Sequence, residues 1–180
     1  LEISAGAPLT AYVFKTLNEA HLGNLLLFRI FSGKIGAGSE VYNSTREITE
    51  KINQLYLMRG KNREETVEIS AGHIGAVAKL KGTRTGDTLC NKKNPLLLEA
   101  IDFPEGVASI AVRPKTKKDE TKLSTCLAKL TEEDPSLKIR HDHEFSQTVL
   151  TGMGDVHLDV AVERLHNRFG VEATTEKTKV

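Results

Sequence analysis

The sequence predicts two consecutive folds, a small closed or nearly closed antiparallel β-barrel over residues 1–102 and a ferredoxin-like βαββαβ domain over residues 103–180. Three observations predict it. From Leu9 to about Leu98, short runs of alternating polarity are separated by turn residues, and no stretch has a helical period. The composition then breaks at Phe103-Pro104-Glu105-Gly106, and two helix-period stretches appear beyond it between strand-like runs. With 39% of its 180 residues hydrophobic, the chain is also long enough for two small cores.

In the first part, Thr10 to Lys15 reads as a strand, His21-Leu22-Gly23-Asn24 as a turn and Leu25 to Phe31 as a buried strand. Ser32 to Gly38 turns the chain again, Val41-Tyr42-Asn43 continues the meander, and Ile52 to Leu57 precedes the polar loop Arg59 to Glu64. Ser70 to Ala78 is a glycine hinge plus a strand, and Arg84 to Leu89 is the last hinge. So many glycines imply tight corners.

In the second part the order is a strand at Val107 to Val112, a helix from about Lys117 to Glu133, strands at Leu137 to Arg140 and Gln147 to Thr151, a helix opening at Asp155, and a strand at Val171 to Thr174. The first helix has an apolar stripe of Leu123, Cys126, Leu127 and Leu130. Thr116 is its expected N-cap, with Asp119 three residues on, and Pro135 forbids continuation. Cys126 is therefore read as core rather than as a nucleophile. The second helix carries Leu158, Ala161, Val162, Leu165 and Phe169 on one stripe, Asp155 and Asp159 in its first turn, and Gly170 as its stop. Gly152 and Gly154 before it are expected to permit a turn that a Cβ would obstruct.

Charge excludes a global pull toward polyanions, because 25 Lys and Arg face 24 acidic residues and leave a net charge of +1. Cys90 and Cys126 are isolated, so the expected setting is a reducing, cytoplasmic one without a disulfide framework. No apolar run is long enough for a bilayer, and no membrane contact is expected. The chain opens at Leu1-Glu2-Ile3-Ser4 and closes on a strand-like run, so a piece of a longer protein is expected.

Motifs for catalysis fail on inspection. Gly33-Lys34 ends a P-loop-like string, yet position 28 is Phe and position 35 is Ile, so both the phosphate cradle and the magnesium hydroxyl are missing. The glycines before the second helix lack the third glycine of a dinucleotide fingerprint, where His157 stands. His141-Asp142-His143 has no third metal ligand nearby and reads as a solvated loop. Glu132, Glu133 and Asp134 close a helix with no base or nucleophile at a spacing that would pair with them, so capping and solubility are their expected roles. A stand-alone RNA-binding module is the alternative of a different class. Such domains stack bases on strand aromatics, and Ser109 to Val112 and Thr148 to Thr151 have none.

Gly152-Met153-Gly154-Asp155-Val156-His157-Leu158-Asp159 resembles a motif of the third domain of elongation factor G. Phe103-Pro104, Pro114-Lys115-Thr116-Lys117 and Glu132-Glu133-Asp134-Pro135 extend the likeness in the second part. In the first part, Ala11 to Thr16, Arg29 to Gly33, Ala71 to Ile74 and Thr85 to Leu89 resemble the second domain, a translation-factor β-barrel. His73, Gly106 and the loop Gly60-Lys61-Asn62-Arg63 depart from the family pattern and leave open a tetracycline-resistance ribosomal protection protein or a ribosome-recycling paralogue.

The resemblance implies a non-catalytic, two-domain portion of a GTP hydrolase that drives ribosomal translocation in protein synthesis. GTP and magnesium belong to the parent's nucleotide-binding domain, and no cofactor is implied within this chain. The implied partners are the ribosome, through small-subunit RNA and protein, together with the parent's own GTPase and C-terminal domains. Asp134, Pro135, His157, Ala161 and Arg164 match a GTPase-docking or fusidic acid pocket, and Arg29, Lys61 and Arg63 are candidate ribosomal RNA contacts.

Overall fold

Alternating side chains along the first half of the chain pair into ten strands. These are β1 (Thr10–Glu19), β2 (Gly23–Ser32), β3 (Lys34–Gly36), β4 (Glu40–Asn43), β5 (Ile48–Lys51), β6 (Leu55–Arg59), β7 (Asn62–Glu65), β8 (Glu68–Ser70), β9 (Ile74–Ala78) and β10 (Thr88–Cys90). They are seen in a computed structural model that describes residues 3–19, 22–60, 62–142, 144–145 and 147–178, so the turn at His21 lies outside the described residues. The chain divides into two units, Leu1–Ile101 and Asp102–Val180.

In the first unit, eight strands form one antiparallel sheet in the order β5-β4-β10-β1-β2-β9-β6-β7, and β3 pairs with β8 as a separate ladder. The sheet is barrel-like, with β5 and β7 as its two edges among the described residues. Period-two alternation along β2 sends Leu26, Phe28 and Ile30 into the main core with Ala11, Val13, Leu55, Val77 and Leu89. Leu25, on the opposite face, is also fully buried and packs with Tyr56, Ala76 and Ala78 in a smaller cluster. Between β1 and β2 the register slips from Val13↔Phe28 to Lys15↔Leu27, which leaves Phe14 as an extra residue that curls the long hairpin.

A buried carboxylate ties the last hinge of this unit to β4. Asp87 is 2% exposed, and its Oδ2 accepts from Asn43 Nδ2 (2.8 Å), Arg46 Nε (2.7 Å) and the Arg84 N–H (2.8 Å). Nearby, Glu50 accepts from the Lys81 and Gly82 N–H groups and from the Thr83 hydroxyl.

The second unit contains β11 (Ala108–Pro114), α1 (Lys117–Glu133), β12 (Lys138–Asp142), β13 (Gln147–Gly152), α2 (Asp155–Phe169) and β14 (Ala173–Lys177). Its strands lie in the order β12-β13-β11-β14, all antiparallel, which is the split βαββαβ arrangement. Leu123, Leu127 and Leu130 of α1 meet Leu158, Ala161 and Leu165 of α2 over Val112 and Leu150 of the sheet. Thr116 caps α1 by accepting from the Asp119 N–H (3.3 Å) and donating to Asp119 Oδ2 (2.6 Å). At the far end of α2, the Val171 N–H reaches Leu165 O (3.1 Å) around the left-handed Gly170.

Two local expectations are corrected. Gly154 is extended and a Cβ there would meet nothing within 4 Å, so it opens no turn that a side chain would obstruct. Of the two aspartates placed in the first turn of α2, only Asp155 is there.

Gly33 is the tightest point of the first unit. Its φ is +71°, and a Cβ would lie 2.6 Å from Leu9 Cα and 2.8 Å from Ala7 O. Gly33→Ala should therefore lower the urea stability by about 2–4 kcal/mol, combining left-handed strain with overpacking against backbone. Gly38→Ala has similar φ (+81°) but open space, and should cost only about 1–2 kcal/mol. Equal losses would remove the packing argument. At the start of the second unit, Asp102, Pro104 and Glu105 are exposed, and a glutamate-specific protease should cut after Glu105 before it cuts within either core. Mass spectrometry of early digests checks this.

Candidate functional site

The carboxylates at the end of α1 and the start of α2 meet on the helical side of the second unit. Pro135 stops α1, so Asp134 becomes its C-cap, with its N–H on Leu130 O (2.9 Å). The carboxylate then turns in two directions. Its Oδ1 accepts from the Ser136 N–H (3.1 Å) and hydroxyl (2.5 Å), and its Oδ2 lies 3.0 Å from His157 Nε2. The other ring nitrogen of His157 accepts the Met153 N–H at 3.0 Å. With Nδ1 occupied as an acceptor, the proton must sit on Nε2, so the ring is held as one tautomer pointing at Asp134.

Gly152 makes this arrangement possible. A Cβ on it would lie 3.0 Å from both His157 Nδ1 and Leu158 Cδ2 and 3.2 Å from Leu137 Cδ2, so the absent side chain admits the imidazole. A second clasp lies beside the first. Glu133 Oε2 and Oε1 accept from Arg168 Nη1 (2.7 Å) and Nη2 (3.1 Å), a bidentate pair whose Glu133 side chain is only 9% exposed. The Arg168 guanidinium also stands 5.4 Å from the centroid of the Phe169 ring.

The expectation that Glu133 and Asp134 have only capping and solubility roles is therefore corrected, because each pairs with a side chain of α2. Burial pushes the Asp134 carboxyl up, but hydrogen bonds from Ser136 and His157 outweigh it and hold it below the usual carboxylate value. Hydrogen bonding to Glu133 pushes the Arg168 guanidinium up against its own partial burial. Burial raises the Cys126 thiol more than Lys129 and Lys122 lower it, in keeping with a core cysteine.

The residues matched to a docking pocket separate into three kinds. Asp134, Pro135 and His157 are half-buried, and Asp134 and His157 are occupied in the clasp. Arg164 is exposed and makes no hydrogen bond or ion pair among the described residues. Ala161 is 2% exposed within the core, as its place on the apolar stripe predicts. Sequence reasoning missed Val156, which is 77% exposed, and Val160; with Arg164 they form a row spaced by four residues on the outer side of α2. Their omission from the core stripe was the available signal.

In the first unit, Arg29 lies on β2 opposite Ile74, and Arg63 on β7 opposite Met58. Continuing the Leu57↔Gly75 register by one residue sets Met58 opposite Ile74, so both arginines belong to one cross-strand row on one face. Three strand spacings of about 4.8 Å separate them by about 14 Å. Arg29 lies 5.9 Å from the Phe31 ring centroid, while Arg63 is ion-paired to Glu19 and lies 6.0 Å from the Tyr56 ring centroid. Lys61 lies outside the described residues, as does His143 of the rejected metal motif. No group of three metal-ligating side chains occurs among the described residues, and no helix there is long and apolar enough to cross a membrane.

Comparison with known proteins matches residues 8–92 to the model of elongation factor G domain 2 and residues 103–177 to that of elongation factor G domain III. A crystal structure of a protein from Thermus thermophilus superposes with a TM-score of 0.85 at 31% identity over 97% of this chain. The chain spans 26% of that protein's length.

The lowered Asp134 value fixes the sign of a pH effect. Its contribution is complete above the ordinary carboxylate pKa and is lost as the pH falls through the depressed one. Asp134→Asn should cost about 1 kcal/mol at neutral pH, since the carboxylate is partly exposed, and the gap to the parent should be narrower in acid, below the ordinary carboxylate pKa, than at neutral pH. Urea midpoints at the two pH values measure it. A gap that is constant with pH would mean that charge at this position is irrelevant to the clasp.

Proposed function

We propose, from the premise that this chain belongs to the elongation factor G family, that it is the domain 2 and domain III portion of a factor that uses GTP to move tRNA and mRNA through the ribosome. The observation that carries the reading is the succession of the two family domains in family order over nearly the whole chain. GTP and magnesium are then held by a domain other than these two, and the present residues transmit rather than catalyse. The barrel-like unit contacts small-subunit RNA through the face carrying Arg29 and Arg63. The second unit meets the GTPase domain through α2.

The geometry supports α2 for that role in a specific way. His157 is held in one orientation by Asp134 and the Met153 N–H, so the surface around it is preorganised rather than adaptive. Val156, Val160 and Arg164 stand free beside it. An apolar pair next to an unpaired guanidinium has the composition of an interface anchor, with Arg enriched among residues that dominate binding. Asp134, Pro135, His157 and Arg164 also form the candidate fusidic acid surface, without Ala161.

Arg164→Ala separates docking from structure. On an exposed face without a partner it should change the urea stability of this chain by no more than about 0.5 kcal/mol. In the intact factor the same change should slow ribosome-stimulated GTP turnover and shift the fusidic acid response. Parallel measurement of the two quantities is the check. A large loss of stability with unchanged turnover would return Arg164 to a structural role.

A further inference from the structure

The sulfur-bearing side chains, Cys90, Cys126, Met58 and Met153, differ sharply in access. Cys90 on β10 is fully buried, and Cys126 on α1 is 8% exposed, with burial holding its thiol above the ordinary value. Met58 on β6 is half-buried against the cluster around Leu25. Met153 is 41% exposed and takes no part in the core of the second unit. It stands between Gly152 and Gly154 where β13 hands over to α2, and even a Cβ on Gly154 would meet nothing within 4 Å, so approach from solvent is open there. Exposed apolar side chains gather around this point. Val156 and Val160 follow on α2, and exposed Val107 donates its N–H to Gly152 O (2.9 Å).

We infer that Met153 is a site of reversible oxidation by hydrogen peroxide, and that its sulfoxide weakens the docking of α2, a consequence that rests on the docking role proposed above for Val156, Val160 and Arg164. The sulfur lone pair attacks one peroxide oxygen, and the O–O bond breaks as the S–O bond forms. The departing hydroxide takes the proton of the transferred OH and leaves as water, so sulfur gives up an electron pair and peroxide accepts it. A thiol reacts as its thiolate, and the buried cysteines lack both access and ionisation. A thioether needs no deprotonation, so exposure decides between the methionines. The product is a polar, chiral group in place of a flexible apolar one. Covering it with a partner surface strips water from the new oxygen without a donor to replace it. The fold has no stake in the change, because what holds His157 is the Met153 backbone N–H, which oxidation leaves intact.

The test has two arms. In the first, the whole chain is treated with hydrogen peroxide and its peptides are mapped by mass spectrometry over time. Met153 should gain one oxygen about tenfold faster than Met58 and ahead of either cysteine, with the urea midpoint unmoved. In the second, the intact factor is assayed for ribosome-stimulated GTP turnover. Met153→Gln, which places a polar amide of similar length there, should slow turnover about fivefold, the loss expected when one contact of an interface is spoiled. Peroxide should slow the parent by a similar factor, and a methionine sulfoxide reductase should restore it. Met153→Leu, compared with its own untreated rate, should resist the peroxide. Faster oxidation at Met58 or at a cysteine, a fall in the urea midpoint, an equal peroxide loss in Met153→Leu, no recovery with the reductase, or full turnover in Met153→Gln overturns the inference. The two readings fail separately. If Arg164→Ala slows turnover and Met153→Gln does not, this inference falls and docking stands; if Arg164→Ala has no effect, docking falls, and the site of oxidation is decided by the peptide map alone.

Discussion

The helical side of the second unit depends on where α1 stops. Pro135 ends the helix one residue after Asp134, and that position presents a carboxylate to α2 at the height of His157. One residue earlier, Glu133 reaches Arg168 near the other end of α2. Two neighbouring acids on one helix end thus fasten both ends of the second helix. Hydrophobic contact through Leu127, Leu158 and Leu165 supplies adhesion without direction. The two clasps supply rotation and register, because a bidentate guanidinium and an imidazole with both nitrogens committed tolerate little displacement.

The first unit solves a related problem with a different geometry. Its sheet brings together strands far apart in sequence, and β10 lies between β1 and β4. Such non-local pairing needs something to fix the closing segment. Asp87 serves there, collecting a side-chain amide, a guanidinium and a backbone N–H on one buried oxygen. Three donors offset much of the cost of burying that carboxylate. Removing any one of them would leave part of the charge uncompensated.

Much of this architecture could be read from local patterns. The bounds of α1 followed from the Leu123 to Leu130 stripe, the Thr116 cap and Pro135, all of which act within a few residues. The strand at Gln147 and the stop at Gly170 were legible for the same reason. The partnerships of Glu133 with Arg168 and Asp134 with His157 were not, since 35 and 23 residues separate the partners and nothing local signals the approach. Ala161 shows a different difficulty. The helical period set it on the apolar stripe that the structure buries, while the family likeness set it in a docking pocket, and only packing decides between the two readings. Strand order in the first unit was illegible because alternation fixes which face a residue takes but not which strand lies beside it.

The pairing of Arg63 with Glu19 has a consequence for how the barrel-like unit meets an anion. An arginine already satisfied by an internal carboxylate presents an exchange site, in which an incoming phosphate must displace Glu19. The free energy gained is then a difference between two ion pairs rather than the whole of one, and the liberated carboxylate adds repulsion close to the ligand. Contacts of that kind are weak individually and reset themselves on departure, because the displaced acid is tethered at high local concentration and recaptures the guanidinium. On the reading proposed above, in which this face meets ribosomal RNA, such an intramolecular competitor would set a limit on residence time.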